Sequence, residues 1–314
     1  MIAFGSLTET TAAVLLAVVA ALAAASLITF ALTRLKPQSD WTELVQRVRS
    51  WWVMVAVFAI AVALDRVVSL VFLGFVSFLA LKEFLSLIET RRADRRVLFW
   101  AYLAIPIQYL WVGIYWYGMF IIFIPVWVFL FLPLVMVRIG DTRGFLRAAG
   151  TLNWGLMTTV FSLSHAAYLL SLPQAENPEA GGAGLLLFLV LLTQLNDVCQ
   201  YLSGKLWGRR KIVPSVSPGK TWEGLFGGLV CTVLVSWLLA PYLTPLEGWL
   251  APAVGGAIAI AGFVGDVVMS AVKRDLGVKD SGGLIPGHGG ILDRVDSLTY
   301  TAPVFFHIVF YLYY

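Results

Sequence analysis

Apolar residues run along this chain in stretches of about twenty, separated by short clusters of arginine, lysine and glycine. A helix needs about 20 residues to cross hydrocarbon about 30 Å thick at 1.5 Å per residue, so this pattern predicts membrane-spanning helices. It places ten, at about 11–33, 51–64, 67–88, 97–112, 116–137, 150–172, 185–203, 223–243, 249–271 and 293–314. Between the first two, Trp41, Leu44, Val45 and Val48 recur at i, i+3, i+4 and i+7, while Glu43, Gln46, Arg47 and Arg49 take the other side. That spacing predicts an interfacial amphipathic helix, followed at Trp51 and Trp52 by an aromatic belt. The expected fold is an all-α, polytopic integral membrane protein. The polar loop 173–184 divides it into N-terminal transmembrane helices, 1–172, and C-terminal helices with the chemistry, 185–314.

Sidedness checks the count, because Lys and Arg accumulate in short cytoplasmic loops. With the N-terminus outside, the inner loops hold Arg34 to Arg49, Arg91 to Arg96, Arg138 to Arg147, Lys205 to Lys220, and Lys273 to Lys279. The loops 173–184 and 244–248 contain no basic residue, and only Arg66 is out of place. Composition agrees: 60% of the 314 residues are hydrophobic and 13% charged, with mean hydropathy +0.85, whereas soluble domains carry about 25% charge. The first thirty residues lack a basic leader and read as a retained anchor. Cys199 and Cys231 have neither a CxxC partner nor metal-ligand spacing. Membrane lipids are the expected surroundings, and no nucleic-acid partner is expected.

Against this background the segment 273–297, KRDLGVKDSGGLIPGHGGILDRVDS, is dense in charge and glycine. Asp266 lies just before it in an apolar helix, where an unpaired carboxylate would cost several kcal/mol, so it needs a cation. Ser270 shares its face at i+4. Asp293 and Asp296 stand at i and i+3 where the last helix begins, beside Arg294; helix capping with an ion pair to Arg294 is the competing explanation for Asp293. Oxygen-only acidic ligands suit Mg²⁺, which completes its shell with water and substrate phosphates. Gly282, Gly283, Gly287, Gly289 and Gly290 leave backbone N–H groups open to anionic oxygens, and Lys273, Arg274 and Lys279 supply cationic partners. His288 could donate to a phosphate or serve only as a hydrogen-bonding fixture. Upstream, Gln194, Asp197 and Tyr201 form a polar stripe expected to face the bundle interior. The following basic loop leads to Ser217, Lys220, Thr221 and Glu223, with Thr221 as N-cap. Gly224, Gly227 and Gly228 read as close helix packing, and His165 and His307 as core residues.

The stretch 270–296, SAVKRDLGVKDSGGLIPGHGGILDRVD, resembles the signature of the phosphatidate cytidylyltransferase (CDP-diacylglycerol synthase) family, and SPGKTWEGLFGG at 217–228 resembles an upstream segment of the same family. The resemblance covers about 190–296; the sequence Asp197-Val-Cys-Gln-Tyr departs from the commoner pattern and is similar to a divergent bacterial branch. It implies a nucleotidyltransferase of phospholipid biosynthesis that condenses phosphatidic acid with CTP to CDP-diacylglycerol and pyrophosphate. Asp266 and Asp293 become the implied metal ligands, for one or two divalent ions with a monovalent cation as an option. Asp266, Lys273, Arg274, Asp293 and His288 become the implied catalytic set, and Ser217, Lys220, Asp197, Lys279, Asp280 and Asp296 the implied substrate-binding set. A homodimer in a bacterial inner membrane, its site facing the cytoplasm, follows from the same likeness. A CTP-dependent lipid kinase, a related cytidylyltransferase acting on another lipid phosphate and an ion-coupled transporter are the rivals, the transporter disfavoured because the acids concentrate near one face of the membrane.

Overall fold

The computed structural model describes residues 7–38, 40–88, 95–283 and 289–314, and among them it is helical without a named strand. Ten helical runs follow one another: α1 Glu9–Leu35, α2 Thr42–Leu64, α3 Arg66–Ser86, α4 Arg95–Gly113, α5 Tyr117–Val137, α6 at 145–169, α7 Gly181–Trp207, α8 Trp222–Leu243, α9 Leu250–Asp275 and α10 Leu292–Tyr313. All but α4 and α6 are, among the described residues, both long and apolar enough to cross a membrane by length and composition. Pro106 lies inside the continuous helix α4, and α6 carries a π-helical turn at Met157–Phe161. A second π-helical turn, Phe123–Val128, lies in α5 around Pro125, which has no N–H for the regular ladder. The protein is therefore an all-α polytopic membrane protein.

Two boundaries differ from the sequence pattern. The segment expected to lie separately in the interface, 41–49, is continuous with the helix expected at 51–64; both form α2. No glycine or proline interrupts residues 42–64, so nothing in the backbone chemistry stops the helix between them. Conversely, the last helix, expected unbroken over 293–314, is two pieces, Leu292–Val295 and Leu298–Tyr313, separated at Asp296 and Ser297. Between α2 and α3, Asp65 accepts from the Val67 N–H at 2.9 Å and caps α3.

Arg66, the basic residue that broke the charge bias, is held at the opposite end of the bundle from the acid-rich loop. Its guanidinium lies 4.2 Å from the Tyr115 ring centroid and donates to the Gly113 carbonyl at 3.0 Å and to Ser171 Oγ at 3.2 Å. It fastens α3 to the ends of α4 and α6. His165 is fully buried, with Nδ1 on the Phe161 carbonyl at 2.8 Å and its ring against Phe120 and Phe306. Its Nε2 has no hydrogen-bond partner, and the His307 ring stands 5.1 Å away.

α7, α8, α9 and α10 pack around a polar seam. Asn196 on α7 donates to the Ala259 carbonyl of α9 at 3.1 Å and accepts from Thr232 of α8 at 3.3 Å. The Thr193 and Thr301 hydroxyls meet at 2.9 Å between α7 and α10. Glycines bring these backbones together. A Cβ on Gly224 would stand 2.8 Å from the Gln200 carbonyl oxygen, and one on Gly265 would stand 2.8 Å from the Asp296 carbonyl oxygen. Those two approaches set α8 beside α7 and the break in α10 beside Asp266.

Candidate active site

At the end of the bundle that carries the acid-rich loop, four carboxylates from three helices converge. Asp197 comes from α7, Asp266 from α9, and Asp293 and Asp296 from the two sides of the break in α10. Asp197 and Asp266 both act repulsively on Asp296, and Asp266 on Asp197. Two lysines answer them. Lys220 Nζ pairs with Asp266 Oδ2 at 2.5 Å and donates to Gln200 Oε1 at 3.0 Å. Lys273 Nζ donates to Asp293 Oδ1 at 2.8 Å and stands 4.0 Å from Asp296 Oδ2. Arg294 acts on Asp197 from further off, and its buried Nε has no hydrogen-bond partner. Thus the cation paired with Asp293 is Lys273.

The individual acids are not equivalent. Asp293 Oδ2 accepts from the backbone N–H of Ser281 at 2.8 Å and of Gly290 at 2.9 Å, so both of its oxygens are engaged. Gly289 has φ +79°, and a Cβ there would lie 2.5 Å from Asp293 Oδ2; only glycine lets the loop close on this carboxylate. Asp296 Oδ1 accepts from the Ser297 N–H at 2.8 Å. Asp197 Oδ2 accepts from the Ser297 hydroxyl at 2.9 Å, while its buried Oδ1 has no hydrogen-bond partner among the described residues. Among the described residues Asp266 Oδ1 accepts a long bond from Ser270, 3.3 Å. Among the described residues no three acids, cysteines or histidines already surround one point as a closed ligand set. The unpartnered oxygen of Asp197 and Oδ1 of Asp266, in a centre where four acids are answered by two lysines, are nevertheless the donor chemistry a hard divalent cation takes.

A cavity of about 410 Å³ opens beside these groups, lined by Asp197, Gln200, Lys205, Lys211, Ser217, Lys220 and Asp266. Its basic wall is built by the loop between α7 and α8. Thr221 caps α8 by accepting from the Gly224 N–H at 3.1 Å, and Glu223 turns back to accept from the N–H of Arg209 at 3.0 Å and of Arg210 at 3.2 Å. Arg274 reaches over to the same loop, donating to the Val216 carbonyl at 3.2 Å and to the Val278 carbonyl at 3.2 Å. Lys279 and Asp280 are exposed on the loop after α9. His288 and Gly287 lie outside the described residues.

Two features were not visible in the sequence pattern. On α7 the buried polar row is Thr193, Asn196, Gln200 and Ser203, whereas Tyr201, expected inside, is 53% exposed and takes Arg47 and Lys205 against its ring. The other is Glu83, near the end of α3. It accepts from the backbone N–H of Ile291 at 3.0 Å and of Leu292 at 2.8 Å, and from the Ser281 hydroxyl at 3.3 Å. Glu83 is thus an N-cap supplied from more than two hundred residues away, and it holds both ends of the acid-rich loop. The sole local signal was an acid, Lys82-Glu83, at the end of an apolar helix.

An acid and lysine centre beside a lysine-walled cavity, at one end of a helical membrane bundle, is an arrangement able to receive anionic groups. The chain belongs to the cytidylyltransferase family, whose model matches residues 45–312, and it is a nucleotidyltransferase. It is similar to the uncharacterized protein YnbB of Escherichia coli (strain K12), 49% identical over 282 residues that make up 90% of this chain and 92% of the relative. It is 37% identical over 154 residues to a phosphatidate cytidylyltransferase of Staphylococcus epidermidis, covering 48% of this chain and 59% of that one. A phosphatidate cytidylyltransferase of Haemophilus influenzae is 40% identical over 138 residues, 42% of this chain and 47% of the relative. The chain thus spans about half the length of the phosphatidate cytidylyltransferases it matches.

Proposed function

We propose that this protein transfers a cytidylyl group from CTP to phosphatidic acid, giving CDP-diacylglycerol and pyrophosphate, in a bacterial inner membrane with the site facing the cytoplasm. The observation that carries the reading is the adjacency of the lysine-walled cavity to the acid centre at one end of the bundle. The names of the partial relatives favour the same lipid and nucleotide. In the reaction a lipid phosphate oxygen attacks the α-phosphorus of CTP; a P–O bond forms there as the bond to the β-phosphate oxygen breaks, and pyrophosphate leaves. No protein nucleophile is needed, so the work left to the chain is to bring two polyanions together and to neutralise the leaving group.

Lys220, with Ser217 and Lys211 on the same wall, would receive triphosphate oxygens, and Lys273, beside Asp293, would meet the lipid phosphate; their positions in the cavity wall and the acid centre support these roles. Arg274 acts through the loop it tethers. A divalent cation would be held by Asp266 with the free oxygen of Asp197, and by Asp293 on the oxygen that Lys273 now occupies, once that lysine turns to a phosphate; when bound it supplies Lewis-acid polarisation of phosphate oxygens. Lys279, Asp280, Asp296 and His288 complete the proposed surroundings. Purified protein incubated with phosphatidic acid, Mg²⁺ and each of the four nucleoside triphosphates tests the reading. Pyrophosphate release that depends on both CTP and phosphatidic acid is expected. Release without the lipid, or equal use of all four nucleotides, would overturn it.

A further inference from the structure

A groove between α2 and α3, on the lipid-facing side of the bundle, plays no part in the site described so far. It encloses about 690 Å³, with Arg49, Val53 and Val57 along α2, Phe72 and Phe75 along α3, and Ile291 at the start of α10. We propose that it holds one acyl chain of the anionic glycerolipid substrate, with Arg49 at the level of the lipid phosphate; this rests on the function proposed above. Three observations converge on that occupant.

The first is length. Arg49 and Val57 are eight residues apart on one helix, about 12 Å of rise, and half of a hydrocarbon core about 30 Å thick is about 15 Å. The groove therefore runs through one leaflet and stops near the midplane, as an acyl chain does. The second is its graded chemistry. Gln46 and Arg49 stand exposed at one end, and below them the lining is aliphatic and aromatic, with Val53 60% and Phe75 56% exposed, so the groove is open sideways to lipid. A cation over an apolar slot complements a lipid whose headgroup is a phosphate. The third is continuity with the site. Ile291 lines the groove, and its backbone N–H is one of the two that Glu83 holds, the other being that of Leu292, while Gly290 before it donates to Asp293. A chain lying in the groove brings its glycerol phosphate alongside the loop closed on Asp293. The volume also falls within the range of about 300–1,000 Å³ typical of ligand sites.

The unaltered full chain, in bilayer discs of phosphatidylcholine and phosphatidylglycerol, is irradiated with phosphatidic acid that carries a diazirine midway along one acyl chain. Label mapped by peptide mass spectrometry should concentrate around Val53–Val57 and Phe72–Val76, and unlabelled phosphatidic acid should suppress it where added phosphatidylcholine does not. Equal suppression by both lipids, meaning an ordinary bilayer lipid lies there, or label spread evenly over the outer faces of α1 and α5, would overturn the proposal. Val57→Trp narrows the deep end; the ratio of kcat/KM for dipalmitoyl over dioctanoyl phosphatidic acid should fall about tenfold, the loss expected when one or two methylenes no longer fit. An unchanged ratio would overturn it as well. Should the unaltered protein make no cytidylyl lipid at all, the proposed reaction falls, while the labelling pattern still judges the groove.

Discussion

Asp266 and Asp293 differ in what their charges hold. Asp266 pairs with Lys220 at the cavity wall, whereas Asp293 also accepts two backbone N–H groups. Asn at either position removes the charge that meets cations, so kcat should fall at least about a hundredfold in each, the scale of losing one electrostatic contributor to phosphoryl-type transfer. Near-normal turnover in either variant would remove that residue from the chemistry. Thermal unfolding in detergent should separate them: Asp293→Asn turns an amide NH₂ towards either Lys273 or two backbone donors, and its midpoint should drop further than that of Asp266→Asn. That both acids would meet cations rather than stand alone was legible in the sequence, because an unpaired carboxylate at the edge of an apolar helix is costly; that the cation on Asp293 is Lys273 and not its neighbour Arg294 was not. Tyr201 was misread because a step of one residue turns a helix face by about 100°, and Gln194, Asp197 and Tyr201 gave as good a period as the true row through Asn196 and Gln200.

Among the elements, α3 reaches across to the acid-rich loop. Glu83 satisfies two of the N–H groups that α10 leaves open at its start, and removing such a cap costs about 1 kcal/mol. Glu83→Ala should lower kcat more than about tenfold while leaving the KM for CTP nearly unchanged, because the cap positions Asp293 and lies outside the lysine-walled cavity. Glu83→Gln, which keeps acceptor oxygen, should recover much of the loss. An equal loss in both variants, or a loss confined to KM for CTP, would deny the positioning role. The α7–α8 contact is a second element with a sharp expectation. A Cβ on Gly228 would stand 2.9 Å from Asn196 Oδ1, so Gly228→Val should abolish monodisperse folded protein on size exclusion. The glycine spacing announced that contact beforehand. The role of Glu83 could not be read, since its partners, Ile291 and Leu292, are distant in sequence and nothing in α3 itself names them. The continuity of α2 was readable in principle from the absence of any breaker, but the paired tryptophans Trp51 and Trp52 suggested a boundary.

For the whole molecule, ten helical runs among the described residues, eight of them long and apolar enough to cross a membrane against the ten expected, followed from hydropathy, because a bilayer leaves the backbone few alternatives to helix. The meeting of α3, α7, α9 and α10 at one site did not follow from it, since helix order in the chain does not state helix order in space. That common end should face the cytoplasm. A cysteine at Lys211 should react with a membrane-impermeant maleimide in inside-out vesicles, above the background of Cys199 and Cys231, and stay unreactive in right-side-out vesicles; the reverse would invert the topology. The central claim is that the acid and lysine centre joins a nucleotide α-phosphorus to a lipid phosphate. It is tested most directly by following radioactive phosphorus from CTP, placed at the α or the γ position, into the lipid extract with phosphatidic acid and Mg²⁺. The account predicts lipid label from the α position alone, lost in Asp266→Asn. Lipid label from the γ position would mean phosphate transfer and would contradict it, as would the absence of lipid label from either.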